Sequence, residues 1–184
     1  MKYFLSSLAG LFAVLILSTP AWADGGMRDK GFQLIGGVFA DQLTQNNGTT
    51  TTTTTNADFH GDFGYGFGAL YVGASFFNFN QSTNNGTTTT YNFLTWYGPS
   101  VGLVMHNFRI IASYALSPDA NMGTNQTLTN GTGFAATIDY TFYVAPKVFI
   151  APLIDYYSVT YSPSGGKNFT VTQLAPFLAL GFDF

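Results

Sequence analysis

The sequence predicts an all-β fold in which eight antiparallel strands close into an up-and-down transmembrane β-barrel. Three observations predict it. Apolar and polar residues alternate with period two through most of residues 31–184, the pattern of strands whose two faces meet different surroundings. The connections between these runs are alternately long and short. Only 8% of the residues are charged, where a soluble domain carries about a quarter, so something other than water must cover the outer face.

The chain opens Met1-Lys2-Tyr3-Phe4-Leu5, continues as an apolar run from Leu8 to Leu17, and reaches Ala21-Trp22-Ala23 before Asp24. A basic start, a short apolar core and small residues near the end are the parts of a secretory signal peptide. Residues 1–23 are therefore expected to be cleaved after Ala23. The apolar run is too short to span a bilayer as a helix, and no later segment offers the roughly 20 uncharged apolar residues that such a helix needs. Residues 24–30 are read as a short periplasmic segment, and residues 31–184 as the barrel.

Strands are expected near 31–43, 58–67, 70–80, 91–104, 108–116, 132–144, 148–161 and 169–184. The second sets Phe59, Gly61, Phe63, Tyr65 and Phe67 against His60, Asp62, Gly64 and Gly66. The sixth sets Phe134, Ala136, Ile138, Tyr140, Phe142 and Val144 against Ala135, Thr137, Asp139, Thr141 and Tyr143. In the run 70–80 both faces are mixed, and its facing is left open. Ten residues at about 3.3 Å, tilted by roughly 40°, cover the apolar band of an outer-membrane barrel, about 25 Å.

The connections 44–57, 81–90, 117–131 and 162–168 are long and rich in Thr, Asn, Gly and Ser. Those at Gly68-Ala69, Met105-His106-Asn107 and Ala145-Pro146-Lys147 are two or three residues. Long outer loops and short periplasmic turns are how outer-membrane barrels are built, which places both termini in the periplasm. A soluble barrel would turn its polar face outward. Here Asp62, Arg109, Asp139 and Asp155 lie on the face opposite the more apolar one.

Composition excludes other classes. There is no cysteine, hence no disulfide framework, thiolate metal site or lipid-modified cysteine. The net charge of −3 offers no basic patch for nucleic acid. No cofactor is called for, and the chain is expected to be a monomer.

The chain ends Leu178-Ala179-Leu180-Gly181-Phe182-Asp183-Phe184, with Leu178, Leu180, Phe182 and Phe184 on one face. Leu180, Gly181, Phe182 and the terminal Phe184 resemble the assembly signal of bacterial outer-membrane proteins. By layout, residues 31–184 resemble the small eight-stranded barrels of the OmpX and OmpA-transmembrane type. That resemblance implies residence in the outer membrane of a Gram-negative bacterium, among outer-membrane lipids. It also implies delivery by periplasmic chaperones and insertion by the outer-membrane assembly machinery. It implies no particular activity, because one fold hosts many functions.

An eight-stranded barrel is just wide enough for its own side chains, which argues against a general diffusion pore. The inward set read from alternation includes His60, Asp62, Asn92, Ser100, Arg109, Ser113, Asp139, Asp155, Gln173 and Asp183. A lone buried charge is costly, so Arg109 is expected to meet one or more of Asp139, Asp155 and Asp183 in a lumen network. A gating or ion-conducting role is the alternative. Asp58, His60 and Asp62 share one face and are weak metal candidates, because about 6.5–7 Å separates successive members.

No Ser, His and Asp spacing announces a catalytic site. Pro99, Pro152 and Pro176 fall inside expected strands, where each removes a ladder donor. A turn near Ser164 would set Pro152 and Pro176 opposite each other as a gap in the wall. Proline-flanked gaps resemble the lateral lipid entry of the outer-membrane palmitoyl transferase, which keeps a lipid-modifying enzyme as an alternative to a bulge. The motif Asn46-Asn47-Gly48 followed by threonines recurs at Asn84-Asn85-Gly86. Asn-Gly favours tight hairpins and Thr favours strands, so these loops are either hairpins standing above the membrane or low-complexity disorder. Hairpins there would suit contact with an extracellular protein or surface ligand.

Overall fold

The computed structural model describes residues 30–46, 48–123, 126–129, 131–161 and 168–184. The expected signal peptide and residues 24–29 lie outside the described residues, as does most of the connection 162–168. The strands are β1 (Lys30–Asn46), β2 (Thr51–Phe67), β3 (Leu70–Asn84), β4 (Thr89–Met105), β5 (Phe108–Met122), β6 (Gln126–Leu128), β7 (Thr132–Tyr140), β8 (Phe142–Ala145), β9 (Val148–Tyr161) and β10 (Phe169–Asp183). β7 and β8 are one wall strand interrupted at Thr141, and β6 is a short flap on β5. Each wall strand pairs antiparallel with the next, and β10 returns to pair with β1, so eight wall strands form a closed ring.

Period-two alternation becomes the two sides of this wall. Phe63, Val101, Ile138 and Leu178 face outward and are half or more exposed. Asp62, Arg109, Asp139 and Asp155 face inward and are buried. An apolar exterior around a polar interior is stable only where the exterior meets lipid. β3 resolves in favour of its odd residues, with Tyr71, Ser75, Phe77 and Phe79 inward. Its facing was unreadable because the outward set includes Asn78, which donates across the strand pair to Thr95 Oγ1 (2.7 Å).

The strands run further than expected at the end remote from the chain termini. Lys30, expected in the preceding segment, already belongs to β1. The long connections 44–57 and 81–90 are mostly strand: β1 pairs β2 up to Asn46↔Thr51, and β3 pairs β4 up to Asn84↔Thr89. The repeated motif caps both hairpins in the same way. Asn46 Oδ1 accepts the Gly48 N–H (2.8 Å) and Asn84 Oδ1 accepts the Gly86 N–H (2.7 Å). Gly48 and Gly86 have φ of 89° and 86°, a conformation that disfavours any residue with a Cβ. Thr44 meets Thr53 (3.4 Å) and Thr54 meets Thr83 (3.4 Å), so the threonines knit a polar sheet above the apolar band.

Among the described residues four prolines lie in strands: Pro118 of β5 falls at a step in the β4 and β5 register, between Thr95↔Asp119 and Tyr97↔Leu116, and the three expected from the sequence sit at three different seams. Side-by-side hydrogen bonds fix which way each backbone N–H points. Asp183 donates to Lys147 O (3.0 Å), so odd residues of β9 and β10 bond to each other. Even residues of β9 therefore face β7 and β8, and even residues of β10 face β1, as the Phe184 to Phe32 O bond (2.9 Å) shows. Pro152 thus lacks its donor toward Tyr140, next to the interruption at Thr141. Pro176 lacks its donor toward Ala40, just beyond Val38↔Leu178, where the β1 and β10 pairing ends. Pro99 faces β5, within the break in pairing between Tyr97↔Leu116 and Ser100↔Ser113.

This corrects the expected gap. Pro152 stands opposite Leu178 and Pro176 opposite Ile154, and the β9 and β10 register is continuous from Phe182↔Val148 to Phe169↔Tyr161. No wall gap lies between the two prolines. Each instead weakens the seam on its far side.

Candidate functional site in the lumen

The lumen is filled in layers. Near the end that carries the chain termini, Arg109 on β5 is fully buried. Its Nε donates to Asp139 Oδ2 (2.8 Å) and its Nη2 to Asp62 Oδ2 (3.1 Å), while the guanidinium lies 5.0 Å from the centre of the Tyr71 ring. Charge-assisted bonds of this kind are the strong ones in a low-dielectric interior. His60 Nε2 meets Asp62 Oδ2 (2.9 Å), and its Nδ1 lies 2.6 Å from Asp155 Oδ2. The second contact is within ion-pair distance but outside hydrogen-bond geometry. Ser75 donates to Asp62 Oδ1 (2.5 Å) and bonds Ser113 (2.9 Å), and Thr137 donates to Asp155 Oδ1 (2.5 Å).

Of the acidic residues expected around Arg109, Asp139 contacts it directly, and Asp155 belongs to the same cluster through His60. Asp183 stands apart, accepting the Tyr143 hydroxyl. Asp62, expected among the metal candidates, is the second partner of Arg109. Tyr71 and Ser75 escape the sequence reading because both faces of their strand are mixed, whereas Thr137 and Tyr143 fall on the face of Asp139, as alternation places them.

The metal candidates Asp58, His60 and Asp62 are each engaged by other side chains. Both ring nitrogens of His60 already face carboxylates, and Asp58 is engaged elsewhere, accepting from Gln173 Nε2 at Oδ2 (3.2 Å). Among the described residues no group of three or more His, Asp or Glu is placed to hold a metal ion. Nor do the serines make a nucleophile and base pair: Ser75 and Ser113 bond to Asp62 and to each other.

Above the charged layer the lumen turns aromatic. Phe77 meets Trp96, Tyr157 and Phe177 with ring centres 6.1, 4.7 and 5.9 Å apart, and all four are buried. Rings from β3, β4, β9 and β10 thus meet in the middle of the barrel. At the outer mouth the lining becomes polar again, with Gln81, Asn92 and Gln173 around a cavity of about 350 Å³.

At the C-terminus, Leu180, Phe182 and Phe184 face outward, and Gly181 faces inward. Gly181 is small for a packing reason: a Cβ there would run into the buried Phe149 ring.

No protein-family model matches the chain. No curated protein matches its sequence. Among solved structures the chain is similar to the outer membrane protein OprG from Pseudomonas aeruginosa, at 13% identity and a TM-score of 0.45, over 86% of this chain and 98% of that one. It is also similar to the outer membrane protein AlkL solved in DMPC lipid bilayers, at 11% identity and a TM-score of 0.42, over 91% and 95%. A third similarity is to the outer membrane protein Ail of Yersinia pestis, at 13% identity and a TM-score of 0.40, over 84% and 99%.

Proposed function

We propose that this protein is a monomeric, non-enzymatic barrel of the Gram-negative outer membrane, of the layout seen in OmpX and the OmpA transmembrane domain, with a closed lumen and a surface-interaction role. The observation that carries the reading is the extension of β1 to β4 beyond the apolar band as two register-matched hairpins. Their Thr and Asn side chains bond across strands, so the sheet stands in water without a core of its own. The charged and aromatic layers support a scaffold over a channel, because an ion would have to displace paired, buried groups. The test replaces residues 43–54, which begin and end on the paired Leu43 and Thr54, by Asn-Gly. Cells carrying the shortened protein should lose binding to the surface partner while the barrel still inserts. Unchanged binding would refute the hairpins as the contact region.

A second reading rests on a separate observation. The β1 and β10 pairing ends at Val38↔Leu178, although the outward apolar set continues to Ala40 on β1 and Leu174 on β10. Behind this seam stand Phe39 and Phe177, with ring centres 6.2 Å apart. Backbone edges at membrane depth persist where they border a cavity. The seam thus supports sideways entry of small apolar molecules into the outer half of the lumen. Uptake of an apolar dye into proteoliposomes tests it, and equal uptake by empty liposomes would refute it.

A further inference from the structure

The outer mouth carries an arrangement that neither reading uses. Asp41, Asn56, Gln81 and Asn92 stand opposite one another in the register of β1 to β4. Their side chains bond head to tail: Asn56 Nδ2 donates to Asp41 Oδ1 (2.5 Å), Gln81 Nε2 to Asn56 Oδ1 (3.0 Å) and Asn92 Nδ2 to Gln81 Oε1 (3.1 Å). The Gly123 N–H closes the series on Asn92 Oδ1 (2.8 Å). A carboxamide has two N–H donors and two acceptor lone pairs, so each member of the belt keeps hydrogen-bonding capacity to spare.

Across the mouth, Gln173 of β10 accepts the Tyr157 hydroxyl and donates to Asp58 Oδ2 (3.2 Å). Asp58 is itself buried. Between the two walls lies the cavity of about 350 Å³, lined by Phe79, Gln81, Asn92, Val171 and Gln173. At roughly 30 Å³ per water this is the space of about a dozen waters, enough for one sugar ring.

The lining selects a chemical class. Among the described residues it presents no cation for an anionic ligand. An apolar ligand would cover the carboxamides without bonding them, at the cost of unpaired polar groups. A hydroxyl donates and accepts at once and so matches both the spare N–H and the spare lone pair of each amide. The C–H face of a pyranose can lie on the Phe79 ring.

We propose that the outer mouth binds a neutral, hydroxyl-rich sugar residue between Gln81 and Asn92 on one wall and Gln173 on the other. The sugar can belong to a free extracellular glycan or to the neutral core of lipopolysaccharide. All the residues that contact the sugar survive replacement of 43–54, so surface binding and sugar binding fail separately.

The experiment uses the full barrel folded in phosphocholine nanodiscs, with sugar-headed detergents excluded throughout. The side-chain NH2 signals of Gln and Asn are followed by NMR against methyl glucoside, methyl galactoside and N-acetylglucosamine, with glucose 6-phosphate as the charged control. The expected result is saturable shifts at Gln81, Asn92 and Gln173 with at least one neutral sugar, and none with the phosphate. Gln173→Leu and Gln81→Leu, on opposite walls, should each weaken binding about tenfold, the scale of one lost hydrogen bond. A second arm compares nanodiscs holding lipopolysaccharide with and without neutral core sugars. Shifts at the same side chains in the first alone identify the lipid as the source, and shifts with free sugar alone identify a soluble glycan. Absence of shifts in both arms, equal response to the phosphate, or unweakened binding in whichever leucine variants fold would overturn the proposal.

Discussion

Replacing Arg109 with Leu removes a fully buried cation from the heart of the lumen. The guanidinium is fully buried and bonds Asp139 at 2.8 Å and Asp62 at 3.1 Å. Asp62 would keep His60 and Ser75, whereas Asp139 would lose its charged partner outright. Breaking a buried pair from one side costs about 3–5 kcal/mol, because the remaining charge stays buried without compensation. Arg109→Leu with Asp139→Leu removes both charges, and the double variant should recover most of the loss. The assay is reversible urea unfolding in lipid vesicles, followed by tryptophan fluorescence, alongside bilayer conductance. Conductance of the folded Arg109→Leu protein should not rise, since the Phe77, Trp96, Tyr157 and Phe177 rings still meet in the middle of the barrel. A single-variant loss below about 1 kcal/mol would refute the buried-pair reasoning. A conductance rise with folding intact would show that the network gates a path instead of bracing the wall.

Gly181→Ala should destabilise the barrel by about 1–3 kcal/mol, because the new methyl meets the buried Phe149 ring, and Phe149→Leu in the same chain should relieve it; urea midpoints of the three variants check this. Pro176→Ala restores an N–H aimed at Ala40 and should extend the β1 and β10 ladder. Slower amide exchange at residues 174–176 and reduced apolar uptake are the expected readouts. Replacing 43–54 by Asn-Gly should change stability in vesicles by less than about 1 kcal/mol, because the removed strand ends stand in water above the apolar band, where substitutions act weakly.

The sequence by itself determined the wall. Period-two alternation at Phe59–Phe67 and Phe134–Val144 had only one reading, because a strand must send neighbours to opposite faces and the two faces differ sharply in polarity. Charge scarcity then decided which face met lipid, and the short connections at Gly68-Ala69 and Pro146-Lys147 set the ends. Tertiary structure alone decided who meets whom across the lumen. Asp62 looked like a neighbour of His60 and became a partner of Arg109, 47 residues away, because ring closure and strand stagger set lumen contacts. The prolines show the same division. Their presence in strands was readable, but the seam that each weakens depends on hydrogen-bond parity. Pro176 therefore opens toward β1, and not toward Pro152 as their spacing suggested. The amide belt was half visible, through Asn92 and Gln173 on the inward face. Its other members, Asn56 and Gln81, lay in stretches read as loops. Their inward orientation follows from hairpin register, a property of the paired strands that neither strand carries alone.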